Sequence, residues 1–351
     1  KFLQKIIKGN KTAEHEELHI LKPGISWSPD GKKIIFAAKS KGEDALFIYN
    51  IIKGKEEIKI SFKENTKKYN LKGISRPTWN PIFNEIAFIG HDGFSSDVYI
   101  YNIDEKSLKN ITNDWYSDTQ VSWHQNGKDL LIISDREENK LGKKADILNF
   151  IDHNVENLDI YKLVYNNNSK YEIKRITNTP YNESYAIYSP DNKKIAYISD
   201  ISGIKNIYIS TDECETNYPI TNVLTGITQI SWISNDQLAL TGFYKSGFDV
   251  FVLSNINQLL NTSTTIPLAN WKNKKEVNLL RSPNYDHSTS TNYENFIFNE
   301  NNLEKFSKSM NINESVLKND QGYYYTNKYN TRFTLDYAQA SYTFDSYYGN
   351  K

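Results

Sequence analysis

The chain has 351 residues, with 42 basic and 42 acidic side chains, 13% aromatic residues, one Cys and one Met. A formal charge of zero argues against nucleic acid or an anionic membrane surface held through bulk charge. The single cysteine, Cys214, excludes a disulfide within the chain and a cysteine-rich metal site, and no run reaches the roughly 20 apolar residues of a membrane-crossing helix. Because the chain starts at Lys1 and its sole methionine is Met310, a fragment or processed product is expected. The lack of a visible signal peptide therefore carries no information.

In chain order, residues 1–24 open with the apolar run Phe2 to Ile7, closed by Lys8-Gly9-Asn10, and are expected to be the end of a preceding or closing repeat unit. Within them His15-Glu16-Glu17-Leu18-His19 sets two imidazoles four residues apart. On a helix such a pair could face one metal if a third ligand arrived, but exposed polar surface is the expectation here. From residue 25 onward five segments share one pattern. Each begins with a strand ending in an aromatic anchor: Trp27, Trp79, Trp123, Tyr188 and Trp232, at intervals of 52, 44, 65 and 44 residues. Turn chemistry follows each anchor, as in Ser28-Pro29-Asp30-Gly31, Asn80-Pro81, Gln125-Asn126-Gly127, Ser189-Pro190-Asp191-Asn192 and Ser234-Asn235-Asp236. Proline presets φ, Asp and Asn bond their own backbone, and Gly or Asn accepts positive φ. A second strand follows (Ile34-Ile35-Phe36, Ile86-Ala87-Phe88, Leu130-Leu131-Ile132, Ile195-Ala196-Tyr197, Leu238-Ala239-Leu240), apolar enough to be buried on both faces. A third recurs at Leu46–Tyr49, Asp97–Ile100, Asp159–Tyr161, Asn206–Tyr208 and Asp249–Phe251. Ile111-Thr112-Asn113, Ile176-Thr177-Asn178 and Ile220-Thr221-Asn222 mark a fourth.

A unit of four antiparallel strands at a period near 44 predicts an all-β fold, a β-propeller with five clear repeats over residues 25–280. Six blades are expected. The sixth would be a composite, pairing the N-terminal segment with strands from residues 257–280 around Trp271; the alternative is that upstream blades were cut away or belong to an unseen part of the chain. The recurring Asp97, Asp159 and Asp249 before the third strand are read as backbone caps, because repetition across blades points to structure.

Trp27-Ser28-Pro29-Asp30-Gly31-Lys32-Lys33-Ile34, Ser189-Pro190-Asp191 and Ile176-Thr177-Asn178 resemble the WD40-like repeats of TolB-type propellers of the bacterial cell envelope. The resemblance covers roughly residues 20–256 and is specific for fold rather than activity. Blades three and five depart from the Ser-Pro-Asp-Gly turn at His124-Gln125-Asn126-Gly127 and Ile233-Ser234-Asn235-Asp236, which puts turn geometry in question there.

Two regions break the pattern. An insertion near residues 137–158 contains Lys143 to Ile151, readable as a short amphipathic helix or a packed loop. Residues 281–320 are rich in Asn, Ser, Glu and Lys and read as a polar linker. Residues 321–351 then carry an aromatic run, with Phe333, Leu335 and Tyr337 alternating as in a strand. This tail resembles the entry to the barrel of surface-antigen-type outer-membrane proteins; a Tyr-rich hairpin on the propeller's side is the alternative.

No catalytic constellation is evident. Gly242-Phe243-Tyr244-Lys245-Ser246-Gly247 lacks the spacing of a nucleophile elbow, and no phosphate-binding glycine loop, metal set or cofactor motif is present. The better lead is one face of the ring, where second-to-third-strand loops meet the connections between blades. The loops supply Lys39, Lys41, His91, Asp92, Asp135, Arg136, Asp200 and Lys245; the connections supply Trp115, Tyr116, Asp118, Tyr181, Glu183 and Tyr185. Aromatic side chains beside charges compose a recognition surface. The binding residues expected are His91, Asp92, Trp115, Tyr116, Asp135, Arg136, Tyr181, Tyr185, Asp200 and Lys245.

The leading expectation is a non-catalytic module that binds a protein or peptide partner. The resemblance implies the periplasm or outer membrane, with outer-membrane association if residues 321–351 begin a barrel. The competing expectations are an accessory propeller of a peptidase or hydrolase whose catalytic domain lies elsewhere, and a carbohydrate-binding propeller stacking sugars on Trp115, Tyr116 and Tyr181.

Overall fold

A computed structural model describes residues 6–7, 15–18, 24–62, 71–138, 141–142, 153–166, 170–211, 213–262 and 265–272. Nineteen strands form five antiparallel sheets, the blades, in strict chain order. Blade one comprises β1 (Ile25–Trp27), β2 (Lys33–Ser40), β3 (Glu43–Asn50) and β4 (Lys55–Ser61). Blade two comprises β5 (Gly73–Trp79), β6 (Glu85–His91), β7 (Ser96–Asn102) and β8 (Ser107–Asn110). Blade three has β9 (Asp118–Trp123), β10 (Leu130–Ser134), β11 (Asp159–Tyr165) and β12 (Tyr171–Arg175). Blade four has β13 (Glu183–Tyr188), β14 (Ile195–Ser199), β15 (Asn206–Ser210) and β16 (Asn217–Pro219). Blade five is three-stranded among the described residues: β17 (Ile227–Ser234), β18 (Gln237–Tyr244) and β19 (Gly247–Ser254).

The repeat is kept at atomic register. Trp27 opposes Ile34, Trp79 opposes Ile86, Trp123 opposes Leu130, Tyr188 opposes Ile195 and Trp232 opposes Leu238. The first four turns close through the same bond, from the N–H after the anchor to the carbonyl five residues on: Ser28 to Lys33, Asn80 to Glu85, His124 to Asp129 and Ser189 to Lys194, at 2.8–2.9 Å. Four residues after the anchor, Gly31, Gly127 and Asn192 all lie at φ of 60–68°. That is the left-handed region which Gly enters freely and Asn tolerates. Blade three therefore keeps the turn despite its altered sequence. Asn126 Oδ1 accepts from the N–H of Lys128 and Asp129, while His124 Nδ1 accepts from Asn126 N–H. Blade five does differ, because Ser234 pairs directly with Gln237 in a tight hairpin.

In blades one to four the middle strands are buried on both faces, and each of these sheets packs against the next. Ile35, Leu46 and Phe62 of blade one pack on Ile74, Trp79 and Phe88 of blade two. Ala87 and Val98 meet Val121, Leu130 and Ile132; Leu131 and Ile133 meet Ala186 and Tyr197; Ile198 and Ile207 meet Ile230 and Leu238. The anchors also stitch blades together. Trp123 Nε1 donates to Thr78 O at 3.2 Å and Trp232 Nε1 to Ile187 O at 3.4 Å. Trp27, with no preceding blade among the described residues, is 57% exposed.

The Ile-Thr-Asn motif is a clasp between third and fourth strands. Thr112, Thr177 and Thr221 accept through Oγ1 from the N–H of Val98, Ile160 and Ile207, at 2.8–3.0 Å. Thr112 and Thr221 in turn donate to Asp97 and Asn206. Asp97 also accepts from Asp114 N–H, and Asp159 from Thr179 N–H, so both act as caps; Asp249 is exposed.

Two expectations need correction. Residues 256–262 form helix α1 (Ile256–Thr262) rather than strands, with Ile256 and Leu259 packed into the blade four–five core. Around Trp271 the chain makes a helical turn, and Trp271 Nε1 donates to Gly203 O. His15 is not exposed. It is buried beside Phe36 and Phe47, its Nε2 pairs with Glu56, and the adjacent Glu16 and Glu17 bond the backbone of Lys39 in β2. His19, residues 143–151, the sixth blade's remaining parts, the linker 281–320 and the aromatic segment 321–351 lie outside the described residues.

Thr112→Val keeps the volume of the clasp and deletes its acceptor and donor. A buried amide left without a partner costs about 1–3 kcal/mol, and chemical denaturation is expected to read a loss of that size. A loss no larger than that of an exposed Thr→Val change would contradict the clasp.

Candidate functional site

The connections between blades run from an outer strand to the next inner strand across one end of the ring, and their N–H groups need acceptors. Side chains following the second strands supply them. Asp135 Oδ1 accepts from Ser117 N–H at 2.7 Å and Asp200 Oδ1 from Asn182 N–H at 3.0 Å.

Between blades two and three this end holds a buried charged cluster. Arg136 has no solvent-exposed surface. Its Nη1 meets Asp114 Oδ2 at 2.8 Å, its Nη2 meets Asp118 Oδ1 at 2.7 Å, and its Nε donates to Ser134 Oγ at 3.1 Å. The rings of Tyr116 and Tyr161 lie 5.8 and 5.9 Å from the guanidinium. Burial works against the Arg136 charge, but Asp118 and Asp114 outweigh it and hold its pKa above the ordinary value. Burial raises Asp114 to about 6, against the pull of Arg136. Asp135 is also raised by burial, offset by Ser117 N–H and by His153, whose Nε2 lies 3.5 Å from Asp135 Oδ2. His153 stacks edge-on against Tyr116. In the connection from blade three to blade four, Glu183 sits among Thr177, Thr179 and Ser199, and burial lifts it from the ordinary 4.5 to about 8.

The ten expected binding residues thus separate. Tyr116, Asp135 and Arg136 come together, turned inward as a brace between blades. His91 and Asp92 shape the β6–β7 turn, with His91 Nδ1 accepting from Gly93 N–H; Trp115 stacks edge-on with Phe94. Tyr181 lies under Lys272 Nζ at 4.3 Å, beside Asp200 as it caps Asn182, and Lys245 sits over Tyr244 in the β18–β19 turn.

Tyr185 belongs to a different place. Its ring stacks under Arg76 Cζ at 5.1 Å, and its N–H donates to Gln120 Oε1. Arg76, Gln120 and Tyr185 sit on β5, β9 and β13, the inner strands of blades two, three and four. A contact from blade two to blade four that skips blade three crosses the central channel. Arg76 and Tyr185 both have φ of 53°, and the ladder breaks between Ser75 and Thr78 and between Ser184 and Ile187, which swings both side chains inward. Gly24 approaches so closely that a Cβ there would lie 2.4 Å from Arg76 Cα. Burial lowers the Arg76 pKa, with Tyr185 opposing, and Arg76 Nη1 is buried without a hydrogen-bond partner. Towards the turn end the channel closes on a cavity of about 260 Å³ lined by Trp79, Trp123, Tyr188 and Trp232.

Arg76, Gln120, Asp114 and His153 were not among the expected site residues. One signal was available for Arg76: a cation directly before Pro77 in a strand otherwise destined for the centre of the ring.

The architecture is that of a β-propeller. No protein-family model matches the chain. Over 205 residues it is 30% identical to the Tol-Pal system protein TolB of Francisella tularensis subsp. mediasiatica, covering 57% of this chain and 40% of that protein. The same figures hold for TolB of Francisella tularensis subsp. tularensis. The chain spans less than half the length of these relatives. A solved structure of putative TolB from Agrobacterium tumefaciens superposes with a TM-score of 0.51 at 17% identity, over 66% of this chain and 76% of that one, a likeness of fold. The chain is similar to TolB proteins across its propeller.

Two outcomes follow for the buried charges. Arg136→Leu strands Asp114 and Asp118, and removal of one partner from a buried ion pair costs about 3–5 kcal/mol; equilibrium unfolding near pH 8 is expected to register it. The raised Glu183 favours its protonated form in the fold, so its contribution is fully present below about pH 4.5 and is lost as pH rises through about 8. Glu183→Gln is expected to flatten the stability profile over that window, by a few kcal/mol at most. Parallel profiles for the two proteins would refute the assignment.

Proposed function

We propose that the chain is a non-catalytic protein- or peptide-binding β-propeller module of a bacterial cell envelope, working in the periplasm. The observation that carries this reading is Arg76. Its guanidinium is stacked on Tyr185 across the channel, with Nη1 buried and unpartnered. A buried cationic donor without an acceptor is costly, and a carboxylate or carbonyl of an entering peptide segment would satisfy it. The loops at the same end of the ring, with half-buried Trp115 and Tyr181 and exposed Lys245, would supply contacts around the segment. Similarity to a Tol-Pal system protein supports an envelope setting and a protein partner. Among the described residues no helix is long and apolar enough to cross a membrane. The exposure of Trp27, whose counterparts Trp123 and Trp232 each bond the blade before them, supports a six-bladed ring.

The test is retention of envelope proteins from a detergent extract by the immobilised chain and by Arg76→Gln, the two matched for melting temperature. A specific partner retained by the first and reduced at least about tenfold by the second is expected, the scale of one lost charge-assisted bond. Equal retention would remove the channel from the reading, and no specific partner would remove binding.

A further inference from the structure

A second recognition surface lies on the circumference, away from the channel. Between the outer strands of blades two and three a cleft of about 650 Å³ opens, within the range of sites that hold a ligand or a short peptide. Its floor continues the inter-blade core: Ile100, Ile111, Leu141 and Tyr171 all pack against the cluster around Leu130 and Leu163. Two aromatic side chains stand at its walls and remain open to solvent, Phe83 at 44% and Tyr165 at 38% exposure, the latter edge-on to Tyr171 at 5.2 Å.

Basic side chains outnumber acidic ones in the lining of this cleft. Lys109, Lys128 and Lys170 line the cleft, are exposed, and enter no ion pair among the described residues. The one carboxylate in the lining, Glu85, accepts from Asn80 and Asn102. Nearby Asp129 accepts from Tyr165 N–H and from Asn126, and Glu172 accepts from Asn166. Hydrogen bonds from neutral amides orient these carboxylates and leave them charged, so the lysine excess is that of the lining itself, three lysines against Glu85, with Asp129 and Glu172 beside it. Elsewhere Lys162 and Lys174 share Glu213, and Lys33 and Lys53 share Glu57.

We propose that this cleft binds a short acidic peptide segment of a partner protein, an apolar or aromatic side chain seated on Ile100, Ile111, Leu141 and Tyr171 while flanking carboxylates meet Lys109, Lys128 and Lys170. Apolar burial supplies affinity at the centre and the rim charges supply selectivity. The surface is distinct from the Arg76 channel, so either can fail alone.

The experiment selects short random peptides displayed on phage against the whole chain, then measures the enriched peptides by fluorescence anisotropy. Peptides in which Asp or Glu flank Phe, Leu or Trp are expected, weakening steeply with salt. Simultaneous Lys109→Glu, Lys128→Glu and Lys170→Glu, all at exposed positions, should weaken them at least about tenfold, and Tyr165→Ala should weaken them severalfold with the melting temperature unchanged. No enrichment, enriched peptides without acids, or full binding by the triple variant would overturn the proposal. Loss on Arg76→Gln with retention by the triple variant would overturn it too, by placing the peptides in the channel.

Discussion

The constraint from which the rest of this structure follows is that the middle strands of blades one to four are apolar on both faces. Ile86 to Ile89, Leu130 to Ile133 and Ile195 to Ile198 are buried at every position, so their sheets need a cover on either side. At roughly 25 cal/mol per Å² of apolar surface, leaving one such face in water would cost more than a domain's whole margin of stability. Sheets arranged around an axis meet that need, with each face-to-face contact serving two blades at once. The channel is then a by-product: inner strands converge on the axis, and whatever they point inward is held by the whole ring.

The same geometry dictates where charge must be buried. A chain leaving the outer strand of one blade has to cross the end of the ring to reach the inner strand of the next, and its backbone donors are taken out of water on the way. Asp97, Asp135, Asp159 and Asp200 each accept from such a donor. Gathering carboxylates there raises the pKa of Asp97, Asp114 and Asp135 through burial, and Arg136 between Asp114 and Asp118 is the compensating cation. Such a group specifies which connection docks on which blade even where an apolar replacement would match it in stability.

The sequence made the blades readable because anchor, turn and strand recur, and in blades one, three and four the turn position requiring positive φ carries Gly31, Gly127 or Asn192. The helix after blade five was legible and was passed over: Ile256, Leu259 and Leu260 fall at i, i+3 and i+4, Asn255 at φ 61° turns the chain, and Asp236 Oδ1 accepts from Asn257 N–H to start it. The candidate face was legible as a region and not as individual roles. Composition could place Arg136 and Tyr116 at the loop end, but their burial depends on Asp114 and Asp118, which come into reach only once β9 and β10 are paired. Tyr185 was legible as an aromatic beside charges. Its partner Arg76 was not, because a β-bulge on each of two separate inner strands has to turn the side chains inward before they meet.

A formal charge of zero turns out to say little about recognition. Neutrality is a sum over the chain, whereas binding depends on which charges are already occupied. Many of the acids at the loop end are committed to backbone N–H groups or to Arg136, and Glu57 and Glu213 each hold two lysines. Lys109, Lys128 and Lys170 around the cleft and the Nη1 of Arg76 in the channel are not so committed among the described residues. Folding has thus committed many anions at the loop end to backbone donors and to Arg136, while three lysines line the cleft. A neutral chain built this way can favour acidic peptide segments while lacking the long-range field that would draw it to nucleic acid.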